Sequence, residues 1–153
     1  MPLYLDVNGE TRAARSDPMT SLLDVLREEF HLTGAKPVCR EGFCGACSVL
    51  IDNVAVPSCL IACGAAEGRP IVTIEGLAPT GELTPLQAAL ENLDAVQCGM
   101  CFPGMVVVLT AALAETPGAT RDEIRAALTG NICRCTGYER IVEAALAAAV
   151  TAK

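Results

Sequence analysis

The first apolar run, Leu3–Val7, stops at Asn8-Gly9, which predicts a strand entering a hairpin turn. Leu22, Leu23, Leu26 and Phe30 then recur at helical spacing across Thr20–Phe30, with Thr20 or Ser21 placed to cap the helix. Short β-type runs follow at Val49–Ile51, Ala55–Val56 and Ile71–Ile74. Strands with one crossing helix and a long Gly-rich loop predict a small α+β domain over residues 1–76. The stretch Gly76–Thr84 (GLAPTGELT) reads as a connection, with the linker set at 77–84. From residue 85 to 153 the pattern changes to alanine-rich helices. Thr84-Pro85 is a cap followed by proline at the first helical position, opening a helix to about Leu93. A second helix is predicted from about Phe102 to Glu115. Thr120-x-x-Glu123 is a capping box for a third, which Gly130 is expected to close, and a fourth runs from about Tyr138 to Val150. Four helices with short connections predict a compact bundle.

Eight of the nine cysteines fall into two sets of four. Cys39, Cys44, Cys47 and Cys59 lie in CREGFCGACSVLIDNVAVPSC, whose C-x4-C-x2-C opening is the plant-type [2Fe–2S] ferredoxin spacing. Cys98, Cys101, Cys133 and Cys135 lie in QCGMC and NICRC, and this set is expected to hold a second cluster. Disulfides are the competing use of an even set of thiols. They are set aside because MPLYLDVNGETRAAR has no apolar signal region, so a reducing, cytoplasmic setting is expected. Structural zinc also takes four cysteines, but it favours paired C-x2-C knuckles over C-x4-C-x2-C and C-x-C.

Charge and composition remove other classes. A net charge of −7 argues against a nucleic-acid partner. Met105–Leu113 is too short to span a membrane. With 52% apolar residues, the chain is expected to cover part of its surface with a partner. His31, the single histidine, is expected at the surface, and Cys63, outside both sets, is expected to pack as a small hydrophobe. No nucleophile–histidine set and no phosphate-binding glycine loop is present, so bond chemistry is not expected on this chain.

The residues around the thiols suit an anionic cluster. Gly42 and Gly45 let backbone amides approach the sulfurs, Arg40 is expected to add positive charge, and Cys59 is expected to arrive from a separate strand. Cys98 and Cys101 stand before one helix and Cys133 and Cys135 before another, where free N–H groups and the positive dipole end lie. Arg134, Gly99 and Gly137 follow the same logic.

CREGFCGACSVLID…PSC, QCGMCFPGM and GNICRCTGY together resemble the small iron–sulfur subunit of the molybdenum hydroxylases, the relatives of xanthine dehydrogenase, aldehyde oxidoreductase and aerobic CO dehydrogenase. The likeness runs from LDVNG to the final helix. It implies a β-grasp ferredoxin domain followed by a four-helix bundle. It also implies a relay: electrons from a molybdopterin centre, as its cytosine dinucleotide on a large partner subunit, would enter the C-terminal cluster, pass to the N-terminal one, and leave to FAD on a medium subunit or to another acceptor. Carried over by motif, Cys135 would hydrogen-bond the pterin while ligating iron, and Gln97 would sit beside it. Three positions depart from the family pattern: Pro37-Val38 before Cys39, Met100 and Phe102 around Cys101, and Cys63. Losing a hydroxyl beside Cys101 is expected to make that cluster's surroundings more apolar. The competing readings are a free-standing two-cluster carrier, a zinc-bound interaction module, and a family member run in the reductive direction.

Overall fold

The computed structural model describes residues 2–151; Met1, Ala152 and Lys153, which the expected domain bounds include, lie outside the described residues. β1 (Leu3–Val7) and β2 (Glu10–Ala14) form the predicted hairpin, in register from Leu3↔Ala14 to Val7↔Glu10. Asn8 and Gly9 take φ of +55° and +78°, the two left-handed residues that a type I′ turn requires. β3 (Ser48–Ile51), β4 (Val54–Pro57) and β5 (Pro70–Val72) complete a five-stranded sheet in the order β2-β1-β5-β3-β4. β1 and β5 run parallel, and the other neighbours antiparallel. Alternation puts Leu3, Leu5 and Val7 on one face, where they share a core with Val49, Ile51, Ile71 and the helix residues Leu22, Leu23 and Leu26. Each such side chain stabilises the fold by roughly 1.5–3 kcal/mol when fully buried.

The first helix and the last strand of the sheet domain differ from expectation. The Thr20–Phe30 helix is α-helical only over α1 (Leu22–Asp24), capped by the Ser21 side chain, and widens to a π-helix over Val25–Glu29. Two tethers coincide with the wider turn. Asp24 binds Arg40, and Glu29 accepts hydrogen bonds from the N–H groups of Arg15 and Ser16 and from the Ser16 hydroxyl. Ile74, expected on the last strand, lies instead in a 3-10 turn over Ile74–Gly76.

α2 (Pro85–Asn92) and α4 (Arg121–Ala127) each open with a complete capping box, Thr84 with Gln87 and Thr120 with Glu123. α4 passes into a 3-10 turn over Leu128–Gly130, so Gly130 belongs to that turn and does not itself stop the α-helix. With α3 (Phe102–Glu115) and α5 (Glu139–Thr151) these helices enclose a second core of Leu86, Leu90, Met105, Leu109, Ile124 and Ile141. Among the described residues no helix is long and apolar enough to cross a membrane.

The sheet and the helices share one seam. β3 is buried on both faces: Val49 and Ile51 enter the sheet core, while α3 packs on the strand from the bundle side. Gly104 of α3 makes this possible. A Cβ there would lie 2.0 Å from the Gly45 carbonyl oxygen and 2.9 Å from Ala46 Cα, so helix and loop backbones touch directly.

Candidate metal centres

The loop from Cys39 to Cys47 turns through left-handed backbone at Arg40, Gly42 and Gly45, with φ of +58°, +69° and +72°. That winding points amides inward. Glu41 N–H and Cys44 N–H each donate to Cys39 Sγ at 3.4 Å, and Gly42 N–H donates to Cys59 Sγ at 3.3 Å. Cys59 sits in a 3-10 turn over Ser58–Leu60 that follows β4, not on a strand as expected. The turn explains its reach, because it folds Cys59 back over the loop with Leu60 against Gly42, where a Cβ would come within 2.1 Å of Leu60 Cδ1.

The four thiols meet as two pairs, Cys39 with Cys44 and Cys47 with Cys59. The Glu41 N–H on its sulfur, helped by the Cys44 N–H, lowers the Cys39 thiol to about 6 against the pull of burial. Burial, reinforced by the neighbouring Cys47, pushes Cys59 up to about 11. The Arg40 guanidinium, expected to face the sulfurs, donates instead to Asp24 at 2.8 Å. Burial raises the Asp24 carboxyl, but Ser21 and Arg40 together hold it below its ordinary value.

The second quartet comes from two helix approaches. Cys101 stands at the N-cap position of α3 and makes no side-chain cap. Its thiol is pushed up to about 12 by burial and then by Cys133. Cys133 pairs with Cys101, and Cys98 with Cys135. Burial acts most strongly on Cys133 and raises it. The Thr136 hydroxyl, 3.0 Å from its sulfur, together with the N–H groups of Cys135 and Thr136, outweighs burial and lowers the thiol. Cys135 is raised by its hydrogen bond with Cys98.

Cys101 and Cys133 are buried, whereas Cys98 and Cys135 are exposed, as is Gln97 beside them. A cavity of about 200 Å³ opens among all four thiols, walled by Met100, Ile132 and Val38. Phe102 is buried and Met100 half exposed.

All nine cysteines are free thiols. Among the described residues no three His, Cys, Asp or Glu side chains converge as closely as one metal ion requires. Thiols in two pairs, with amide and hydroxyl donors on their sulfurs, fit a two-iron group in which each iron takes two ligands.

Cys63 is fully buried in the sheet core, its thiol 3.4 Å from the Asp17 carbonyl, and burial raises it. His31 is exposed, with φ of +57°.

Sequence reasoning missed three contributors. Thr136 is the donor to Cys133. Tyr138, expected to start the last helix, precedes it with φ of +69°, and its hydroxyl accepts the Cys133 N–H at 2.8 Å. Asn131 donates to the Gly45 carbonyl at 3.3 Å, while Ile132 N–H donates to the Cys44 carbonyl at 2.9 Å, joining the two thiol loops. Gly137, two residues after the last thiol, was the available signal for a turn there, though not for the hydrogen bonds that Thr136, Tyr138 and Asn131 make.

Residues 5–70 match the 2Fe-2S iron-sulfur cluster binding domain family, and residues 73–146 match the [2Fe-2S] binding domain family. The chain is 44% identical over 139 residues to the nicotinate dehydrogenase small FeS subunit of Eubacterium barkeri, covering 91% of this chain and 88% of that one. It is 46% identical over 143 residues to the xanthine dehydrogenase iron-sulfur-binding subunit of Escherichia coli O157:H7, covering 92% and 89%. Among solved structures, quinoline 2-oxidoreductase from Pseudomonas putida 86 superposes with a TM-score of 0.95 at 42% identity, covering 99% of this chain and 95% of that one. Aldehyde oxidoreductase from Desulfovibrio desulfuricans ATCC 27774 superposes with a TM-score of 0.94 at 39% identity, where this chain corresponds to 17% of a longer one.

Proposed function

The chain belongs to the small [2Fe–2S] subunits of the molybdenum hydroxylases, the family of xanthine dehydrogenase and aldehyde oxidoreductase, and on that premise we propose that it relays electrons between two partner subunits. In this reading Cys39, Cys44, Cys47 and Cys59, within residues 1–76, hold one [2Fe–2S] group. Cys98, Cys101, Cys133 and Cys135, within residues 85–153, hold the other. Each group, when bound, supplies a one-electron couple; the chain's own work is to bind, position and insulate it. Amide and hydroxyl donors on Cys39, Cys59 and Cys133 offset the added negative charge of the reduced state.

The observation that supports this placement of the partners is the unequal exposure of the second quartet. Cys98 and Cys135 are open to the outside while Cys101 and Cys133 face inward. Electrons would enter from a molybdopterin on the large subunit against Cys135, with Gln97 alongside, and cross to the first quartet. They would leave near Cys59, where Phe43 and Leu60 are 69% and 60% exposed, to FAD on a medium subunit or to another acceptor. Apolar side chains exposed at both ends favour a subunit seated in a stable complex over a free-standing carrier.

The test is metal analysis and EPR on the chain purified with its native companions. About four iron and four sulfide per chain, two distinct [2Fe–2S] signals and molybdenum in a larger companion are expected. Two clusters on a chain that purifies alone would favour the carrier, and zinc without sulfide would remove both readings.

A further inference from the structure

The two thiol quartets touch through one short segment, Asn131 to Cys133. Ile132 N–H donates to the carbonyl of Cys44 at 2.9 Å, so one hydrogen bond and the backbone of a single residue separate Cys44 from Cys133. Asn131 Nδ2 adds a second bond, 3.3 Å to the Gly45 carbonyl. From the opposite side the Tyr138 hydroxyl closes over the segment. It accepts from Cys133 N–H at 2.8 Å and donates to the Asn131 carbonyl at 3.1 Å.

Tyr138 reaches this position at a cost. Its φ of +69° is a left-handed conformation, which a bulky residue rarely adopts unless the surroundings force it. Its own N–H donates to Thr136 Oγ1 at 3.2 Å, and that hydroxyl in turn donates to Cys133 Sγ. Backbone and side chain of one residue thus fix both the sulfur of Cys133 and the segment that leads from it.

We infer that Tyr138 is a positioning residue for electron transfer between the two quartets: its hydroxyl holds Asn131–Cys133 against the Cys44 loop and so fixes the Ile132 N–H···O=C Cys44 bond through which the electron crosses. The inference rests on the two-cluster relay proposed above. One electron leaves the C-terminal group, which is oxidised by one equivalent, and the N-terminal group is reduced by one equivalent. No proton travels, because Ile132 N–H stays the donor and Cys44 C=O the acceptor throughout. Among the described residues the Gly104–Gly45 contact beside this link carries no hydrogen bond from helix to loop, whereas the 131–133 segment is bonded to the Cys44 loop at two places.

The experiment is Tyr138→Phe in the intact complex, which keeps the ring and removes the hydroxyl. After rapid partial reduction, transfer from the C-terminal to the N-terminal group is timed through their separate EPR signals, with iron content measured alongside. The expected result is full iron, both signals retained, and transfer slower by roughly three- to tenfold, the size of a lost positioning hydrogen bond. Full iron with an unchanged transfer rate would overturn the assignment, even if the melting temperature fell. Should Tyr138→Phe lose iron, Asn131→Ala tests the segment that Tyr138 is inferred to hold, because it leaves the tyrosine in place and removes the side-chain bond to Gly45. Slower transfer in that variant upholds the segment as the path, and unchanged transfer rejects it. If in the wild-type complex the N-terminal group is never reduced through the C-terminal one, the relay itself fails, whatever Tyr138 does.

Discussion

Gly104→Ala sets two physical effects of opposite sign against each other. Within a helix, alanine is ordinarily more stable than glycine by about 1 kcal/mol. At this position the new Cβ would stand 2.0 Å from the Gly45 carbonyl oxygen, where a carbon–oxygen contact needs about 3.3 Å. The obstacle is backbone, and it cannot swing aside. The Gly45 oxygen is already held by the Ser48 hydroxyl at 2.8 Å and by Asn131. α3 must therefore retreat from the Cys44 loop by more than about an ångström, at the 1–3 kcal/mol typical of overpacking. Because the obstacle is backbone, the upper part of that range applies, roughly 2–3 kcal/mol, and after the helix gain the net loss is roughly 1–2 kcal/mol. Expressed as a melting temperature for a chain of this size, that is about 2–8 °C. Calorimetry of the iron-loaded complex at one fixed heating rate reads the shift directly. An alanine variant as stable as the wild type, or more so, would refute the close-contact account of the seam.

Other outcomes follow from single side chains. Cys44→Ser is expected to disturb the N-terminal cluster and block onward transfer while substrate still reduces molybdenum; Cys135→Ser is expected to disturb both its own cluster and the pterin contact, and loss of molybdenum reduction in the Cys44 variant would reverse the assigned order. Thr136→Ala removes the hydroxyl on Cys133 Sγ and is expected to lower the midpoint potential of the C-terminal cluster, since the more negative reduced state loses a donor; potentiometric EPR showing no shift would reject this role. Glu29, whose carboxyl is held below its ordinary value first by the Ser16 hydroxyl and then by the Arg15 N–H, contributes stability that is complete above the unfolded carboxylate pKa and is lost as pH falls through the lowered folded value. Glu29→Gln is therefore expected to flatten the acid limb of a stability–pH curve below about pH 4, and an unchanged limb would exclude the tether.

Cysteine spacing carried the chemistry into plain view, because ligand geometry leaves a short-range mark: C-x4-C-x2-C and C-x-C are local patterns. Capping boxes at Thr84 and Thr120 and the Asn8-Gly9 turn were legible for the same reason. What stayed hidden depends on contacts distant in sequence. Gly45 read as a residue that admits amides to sulfur, yet its neighbours are Gly104, Gly130 and Asn131 from the other half of the chain. Arg40 read as a charge for the cluster and was found on Asp24, at the end of α1 and sixteen residues away in sequence. Gly104, a lone glycine in the apolar run FPGMVVVL, could have been taken as a mark of close packing. Tyr138 could not, since an aromatic residue at the edge of a helix says nothing of where its hydroxyl will end.

β5 is the last strand to be made and lies in the middle of the sheet, between β1 and β3. As the chain leaves the ribosome, the β1–β2 and β3–β4 hairpins emerge as two separate ribbons, each with an open edge and neither stable alone. All four thiols of the first quartet, Cys39 to Cys59, are synthesised before the strand that joins those ribbons. The loop meant to grip a cluster is therefore born on an unfinished scaffold. A truncation that stops short of Pro70–Val72 should leave a chain with every N-terminal ligand and no sheet to hold them in place. Such a truncation is therefore expected to retain no iron in its N-terminal half, and iron held by it would show that three residues of strand are not what completes the grip.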